Sequence, residues 1–348
     1  MSDGLVLECP LPAYARETIE MAHGGGGLLT RNLIENIFRP AFAAAPTDFT
    51  HDGAVLEIGG FKLAFTTDSY VVQPLFFPGG DIGALAVNGT VNDLAMCGAE
   101  PLCLSAGFVI EEGFALDDLR RVVASMQAAA AVAGVKFTTG DTKVVERGKG
   151  DGLYINTAGI GRILCDVPPA PQNVRPGDIV LLSGDIGRHG IAVMSVREGL
   201  GFESMLESDC APLAATVARL IAAGITLNCL RDPTRGGLAT SMIEIAATAG
   251  LDLRVAEAAI PVCGPVRGAC EILGLDPLYV ANEGRFIAIV PPEDAPDALA
   301  ILQAAPGGDQ AAPIGVVAPG QGRAILENAL GAGRVLDLLT GEQLPRIC

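Results

Sequence analysis

Apolar residues recur along this chain at two spacings that alternate with each other. Between residues 28 and 38, Leu29, Leu33, Ile34, Ile37 and Phe38 share one helical stripe, so the spacing predicts a helix. Residues 54–58 and 61–67 are short β-type runs separated by Gly59-Gly60, a hairpin signal. A helical stretch over about 82–97 leads into a strand at 102–110. Residues 116–133 read as a helix with Leu119, Val122, Val123, Met126 and Ala130 on one side, and 135–139 and 153–164 read again as strands.

Prolines and glycines from Pro168 to Gly177 then break the pattern and predict a linker. Beyond it, strands at 178–183, 252–255, 285–290, 314–318 and 324–326 interleave with helices near 189–198, 211–223, 237–249, 266–273 and 295–303. Such alternation predicts an α+β (or α/β) fold of two domains, 47–166 and 175–335. Residues 1–46 form a leading segment with a Gly-rich loop, and 336–348, without periodicity, are expected to form a mobile tail ending in Cys348.

Composition narrows the function classes. The chain has 348 residues, half of them hydrophobic, so a large core can form and disorder is not expected. Its net charge of −17 argues against nucleic acid and against an anionic membrane surface. No uninterrupted apolar run is long enough for a transmembrane helix, and the first ten residues lack a basic, signal-like start. Nine scattered cysteines without a C-x-x-C pair fit a reduced, cytoplasmic protein rather than a zinc or disulfide framework.

The candidate chemistry lies in recurring aspartates. Asp52, Asp68, Asp81, Asp93 and Asp141 fall in Gly/Thr-rich turns expected at strand ends. Carboxylates beside glycines, whose backbone N–H groups phosphate can approach, suit a Mg²⁺–nucleotide site; singly, each could equally be a turn or cap residue. His23 with Gly24, Gly25, Gly26 and Gly27 could wrap phosphates, or could be a flexible helix entry. Arg235 lies in a turn feeding a helix N-terminus, a natural anion site. On residue type alone, Lys143 reads as a surface lysine, Glu283 is ambiguous and Cys348 is a frayed end.

Several segments, taken together, point further. They are Ala22–Gly27, Phe65–Tyr70, Phe77–Gly83, Gly89–Leu94, Gly140–Val145, Asp232–Gly237, Asn282–Gly284 and the terminal Pro345-Arg346-Ile347-Cys348. In them the chain resembles the ATP-binding superfamily of aminoimidazole ribonucleotide synthetase, selenophosphate synthetase and thiamine-monophosphate kinase. Within it, the similarity is to the hydrogenase-maturation HypE carbamoyl dehydratases. That resemblance implies a two-domain fold like aminoimidazole ribonucleotide synthetase, ATP and Mg²⁺ as cofactors, and pairing of first domains into a homodimer. It also implies a carbamoyltransferase partner, HypF, that loads Cys348. ATP-driven loss of water would leave a thiocyanate on the sulfur, and the cyanide would pass to the [NiFe]-hydrogenase iron on a HypC–HypD assembly. By resemblance, Cys348, Lys143 and Glu283 are catalytic. Nucleotide contacts are expected from His23, Gly24, Gly25, Gly26, Asp68, Asn92, Thr142 and Arg235, and metal contacts from Asp52, Asp68, Asp81, Asp93 and Asp141. The rival readings are a selenophosphate synthetase-like enzyme and a non-catalytic carrier.

Overall fold

The computed structural model describes residues 18–42, 51–199, 206–341, 344 and 346–348. Cys9 and the expected boundary at residue 47 lie outside them. The expected first helix is α1 (Leu28–Leu33), continued by a π-helical turn over Ile34–Phe38 into α2 (Arg39–Phe42). The predicted hairpin is β1 (Ala54–Ile58) and β2 (Phe61–Tyr70), closed by Gly59 and Gly60 at positive φ, where no side chain resists the turn. A short ribbon, β3 (Phe76–Phe77) and β4 (Gly80–Asp81), then leads into α3 (Ile82–Met96). β5 (Ala99–Glu111), α4 (Leu116–Ala133), β6 (Lys136–Val145) and β7 (Leu153–Ile163) complete the first half.

The first half forms one five-stranded sheet of order β1-β2-β7-β5-β6, antiparallel except for β5–β6, which α4 connects. Its inner face buries Ala64, Thr66 and Tyr70 of β2 beneath α3. In α3 every residue except Ala84 and Asp93 is buried. The opposite face keeps Phe61, Phe65 and Ile160 well exposed. Gly89 lets α3 approach the sheet, since a Cβ there would lie 2.3 Å from the Tyr70 hydroxyl.

The second half begins after the Pro/Gly linker. It contains β8 (Ile179–Leu182), α5 (Arg188–Arg197), α6 (Ala214–Ala222), β9 (Cys229–Arg231), α7 (Gly237–Ala249) and β10 (Asp252–Ala256). After these come α8 (Gly264–Leu273), β11 (Ile287–Val290), α9 (Ala295–Gln303), β12 (Ala312–Ala318), β13 (Ala324–Glu327) and β14 (Gly333–Val335). The seven strands pair in the order β14-β13-β10-β12-β8-β11-β9. α3 also packs on α6 and β9 of this half, so one buried helix bridges the two sheets.

Three local expectations change. Asp141, Thr142 and Lys143 lie within β6 rather than in a turn after residue 139, because Gly140 to Val145 continue the parallel ladder with β5. Asp68 is inside β2 and Asp93 in the last turn of α3, so neither is a turn residue.

Candidate active site

Three carboxylates meet where the two halves touch. Asp52 precedes β1, Asp93 ends α3, and Asp232 follows β9; one oxygen from each lies within 4.8 Å of the others. Arg231 holds Asp52 at 2.8 Å and also pairs with Glu244. The Thr66 hydroxyl donates to Asp93 at 2.8 Å. Asp52 Oδ2 and Asp232 Oδ2 are buried without a hydrogen-bond partner. Burial, then the neighbouring carboxylates, pushes Asp93 and Asp232 well above the usual carboxylate range. Crowded, desolvated oxygens with unused lone pairs are what a hard divalent cation accepts, so this set fits Mg²⁺.

Around the triad lies a cavity of about 450 Å³, lined also by Gly26, Thr30, Asp68 and Arg235. Asp68 reaches it because even-numbered residues of β2 face inward with Thr66 and Tyr70. Arg235 lies 3.5 Å from Asp68, at the turn where Gly236 and Gly237 adopt positive φ before α7. A Cβ on Gly26 would sit 2.9 Å from the Arg235 carbonyl oxygen, so the Gly-rich loop rests directly on this turn. His23 accepts from the Glu20 backbone N–H at 3.0 Å.

Arg235 also borders a second cavity of about 860 Å³, together with Gly24, Gly25, Ser69, Tyr154 and Cys348. The structure therefore places the end of the chain inside: Ile347 is buried, and Cys348 is half-buried against the cluster that holds Tyr70 and Phe77. Burial, and then the Glu283 carboxylate, pushes the Cys348 thiol up, while Arg235 opposes the shift. Burial in this position disfavours the thiolate. Burial, then Asp232, Asp209 and Asp68, pushes Glu283 well above its ordinary range. Its Oε1 is buried and unpartnered, while the Glu283 and Gly284 backbone N–H groups donate to Asp209. The residue is thus held by its main chain, with Oε1 of its carboxyl unpaired.

Apart from His23, which lines neither cavity, the expected site residues divide into two groups. Asp52, Asp68, Asp93, Arg235, Gly24, Gly25, Gly26, Glu283 and Cys348 gather around the two cavities or act electrostatically on them. Asp81 instead caps α3, accepting from the N–H groups of Gly83 and Ala84. Asn92 is buried and ties the halves together, donating to the Ala211 and Glu283 carbonyls and accepting from Leu213 N–H at 2.8 Å. Asp141 and Lys143 pair with each other at 2.8 Å on the outer face, opposite Gly107 and Val109, and Thr142 is exposed on the same edge strand. Within one chain, these three do not reach Cys348. Among ligand candidates, sequence reasoning missed Asp232. It lies in the turn that feeds the N-terminus of α7, and that position pointed to anion binding instead.

Two family descriptions match the chain: AIR synthase related protein, N-terminal domain, over residues 50–163, and the C-terminal domain over 175–327. It is 52% identical over 332 residues to the carbamoyl dehydratase HypE of Azotobacter vinelandii, covering 95% of this chain and 97% of that one. To the Escherichia coli K12 carbamoyl dehydratase HypE it is 45% identical over 336 residues, covering 95% and 99%. The chain belongs to the HypE family. The crystal structure of a HypE in complex with ATP superposes with a TM-score of 0.81 at 49% identity, covering 95% of this chain and all of that one. A HypE–HypF complex matches with a TM-score of 0.83 at 45% identity, covering 88% and 99%. At 16% identity, a thiamine monophosphate kinase from Aquifex aeolicus matches with a TM-score of 0.64, covering 88% and 99%, which shows that the fold is shared beyond the HypE family. Among the described residues, no helix of this HypE-family chain is long and apolar enough to cross a membrane.

Proposed function

We propose that this chain is an ATP-dependent carbamoyl dehydratase that acts on a carbamoyl group carried by its own Cys348. The observation that carries this reading is the docked Cys348, which lines a cavity joined through Arg235 to the cavity of the acidic triad. The amide oxygen of an S-carbamoyl group is a poor leaving group. Transfer of the ATP γ-phosphoryl group to that oxygen makes it one; loss of phosphate and of the N–H protons then leaves S–C≡N, with ADP and phosphate as products. Asp52, Asp93 and Asp232, with Asp68 nearby, would hold Mg²⁺, which offsets charge on the phosphoryl oxygens. Arg235 and the Gly24–Gly26 backbone would receive the phosphates. Glu283, pushed above its ordinary range by burial and the neighbouring carboxylates, is the proposed acceptor of a proton from the nitrogen.

Lys143 and Asp141 join this scheme through a second copy of the chain. The outer face of the first sheet exposes Phe61, Phe65, Val109 and Ile160, an apolar surface that homodimerisation would cover. Pairing there would bring Lys143 and Asp141 of one chain toward the site of the other. HypF is the proposed source of the carbamoyl group and a HypC–HypD assembly the acceptor of the cyanide, all in the cytoplasm. The test is the mass of the C-terminal peptide after loading and addition of Mg²⁺-ATP. The wild-type peptide should lose one water, whereas Glu283→Gln should load but retain the carbamoyl group. Normal thiocyanate formation by Glu283→Gln would remove it as the base, and an unmodified Cys348 would overturn the reading.

A further inference from the structure

The docked tail is gripped by its main chain. His189, at the start of α5, donates from Nε2 to the Ile347 carbonyl at 2.8 Å. Its Nδ1 lies 2.9 Å from the Ser208 hydroxyl, which is thereby placed to donate and to fix the tautomer. The Phe77 ring meets the His189 ring edge-on, 5.3 Å between centroids. On the same helix, Arg197 forms the last turn; its Nη2 donates to the Arg346 carbonyl at 2.8 Å, and its Nε to the Gln73 carbonyl at 2.9 Å. Gln73 N–H donates to the same Arg346 oxygen at 3.1 Å. Arg346 meanwhile adopts φ 57°, a left-handed conformation that a side chain resists, and pairs with Asp151. A strained turn thus precedes Cys348, and two rigid donors from one helix secure it.

We propose that His189 and Arg197 are positioning residues that latch the tail, setting how often Cys348 stands in the site and how often it is free for a partner. The latch reads only backbone carbonyls, so it holds residues 346 and 347 whatever the sulfur carries. Both donors come from α5, whose buried residues anchor it in the second half of the chain. Loss of His189 leaves the Ile347 carbonyl without its partner, loss of Arg197 leaves the Arg346 carbonyl with the Gln73 N–H alone, and either weakens the docked state and shifts the tail outward.

This rests on Cys348 being the carrier, but its test needs neither ATP nor a carbamoyl donor. The full-length protein is alkylated with iodoacetamide under limiting conditions, and peptides are followed by mass spectrometry. His189→Leu and Arg197→Met should each raise the Cys348 rate roughly tenfold, as loss of one hydrogen bond to the docked state implies. The rate at half-buried Cys103 should not change. His189→Gln, which keeps an N–H donor, should stay near wild type. With preloaded protein at saturating ATP, the Leu and Met variants should also slow single-turnover dehydration while leaving Mg²⁺-ATP affinity unchanged. Should His189→Leu fail to fold, Arg197→Met decides alone. An unchanged Cys348 rate in Arg197→Met, or a parallel rise at Cys103, overturns the latch. A fast Cys348 in the variants without dehydration in the wild type would support the latch and count against the proposed function.

Discussion

Asp52, Asp93 and Asp232 are crowded, and their buried, unpartnered oxygens fit a divalent cation. Two like charges about 5 Å apart repel by on the order of 3 kcal/mol at an effective dielectric near 20. Asp232→Asn should therefore raise, or at least hold, the melting temperature in Mg²⁺-free buffer, while weakening Mg²⁺-ATP binding at least tenfold by calorimetry; unchanged affinity would exclude Asp232 as a ligand. The pH dependence has a definite sign. Asp93 and Asp232 are raised in the folded state, so between about pH 3.9 and their elevated values the folded chain binds more protons than the unfolded one. Their contribution is fully present below that window and is lost as pH rises through the raised values. Relative to Asp232→Asn, the wild type should lose melting temperature on going from acid to neutral pH without Mg²⁺. Mg²⁺ binding at neutral pH should release protons, seen as a buffer-dependent binding enthalpy. At this scale the residue types were legible in the sequence. That Asp81 caps a helix while Asp232 joins the triad was not, because a carboxylate's role depends on which chain segments fold against it.

At the scale of elements, α3 carries the most. It covers the inner sheet face, presents Asp93, and through Asn92 holds the Ala211 and Glu283 carbonyls and the Leu213 N–H. Asn92→Ala should leave these buried groups unpaired and cost about 2–4 kcal/mol, read as a lower denaturation midpoint. Dehydration should fall further than stability predicts, because the backbone at Glu283 loses a partner; an unchanged midpoint would refute this role. Helix α3 was legible because its length and its glycine and aspartate positions are local signals. Strand β6 was only half legible: residues 140–142 read as a turn, and the parallel ladder to β5 that makes them a strand is a non-local pairing.

The whole molecule joins two sheets through α3 and leaves the outer face of the first sheet apolar and exposed. A complementation experiment addresses the proposed second copy. Lys143→Ala keeps Cys348, and Cys348→Ala keeps Lys143; if Lys143 acts across the dimer, each variant alone should be inactive, and the mixture should recover up to about half of wild-type dehydration per mixed dimer. No recovery in mixtures shown to exchange subunits would place Lys143 outside the reaction. Phe61→Glu on the same face should yield monomers by sedimentation.

By itself the sequence determined the alternation of helices and strands, the Gly59-Gly60 hairpin, the linker after Pro168 and the segments shared with HypE proteins. Each is a property of neighbouring residues: periodicity, turn chemistry or a run of motif positions. Only the tertiary structure decided which chemistry meets. Side chains alternate across a strand, so Asp68 faces the triad while Asp141 and Lys143 face away, a difference of sheet face that residue type does not encode. Asp52, Asp93 and Asp232 come from a loop, a helix and a strand end distant in sequence, and closing those long loops requires the packed core. The tail, without periodicity of its own, takes its docked position from donors on α5, so its place belongs to the fold around it.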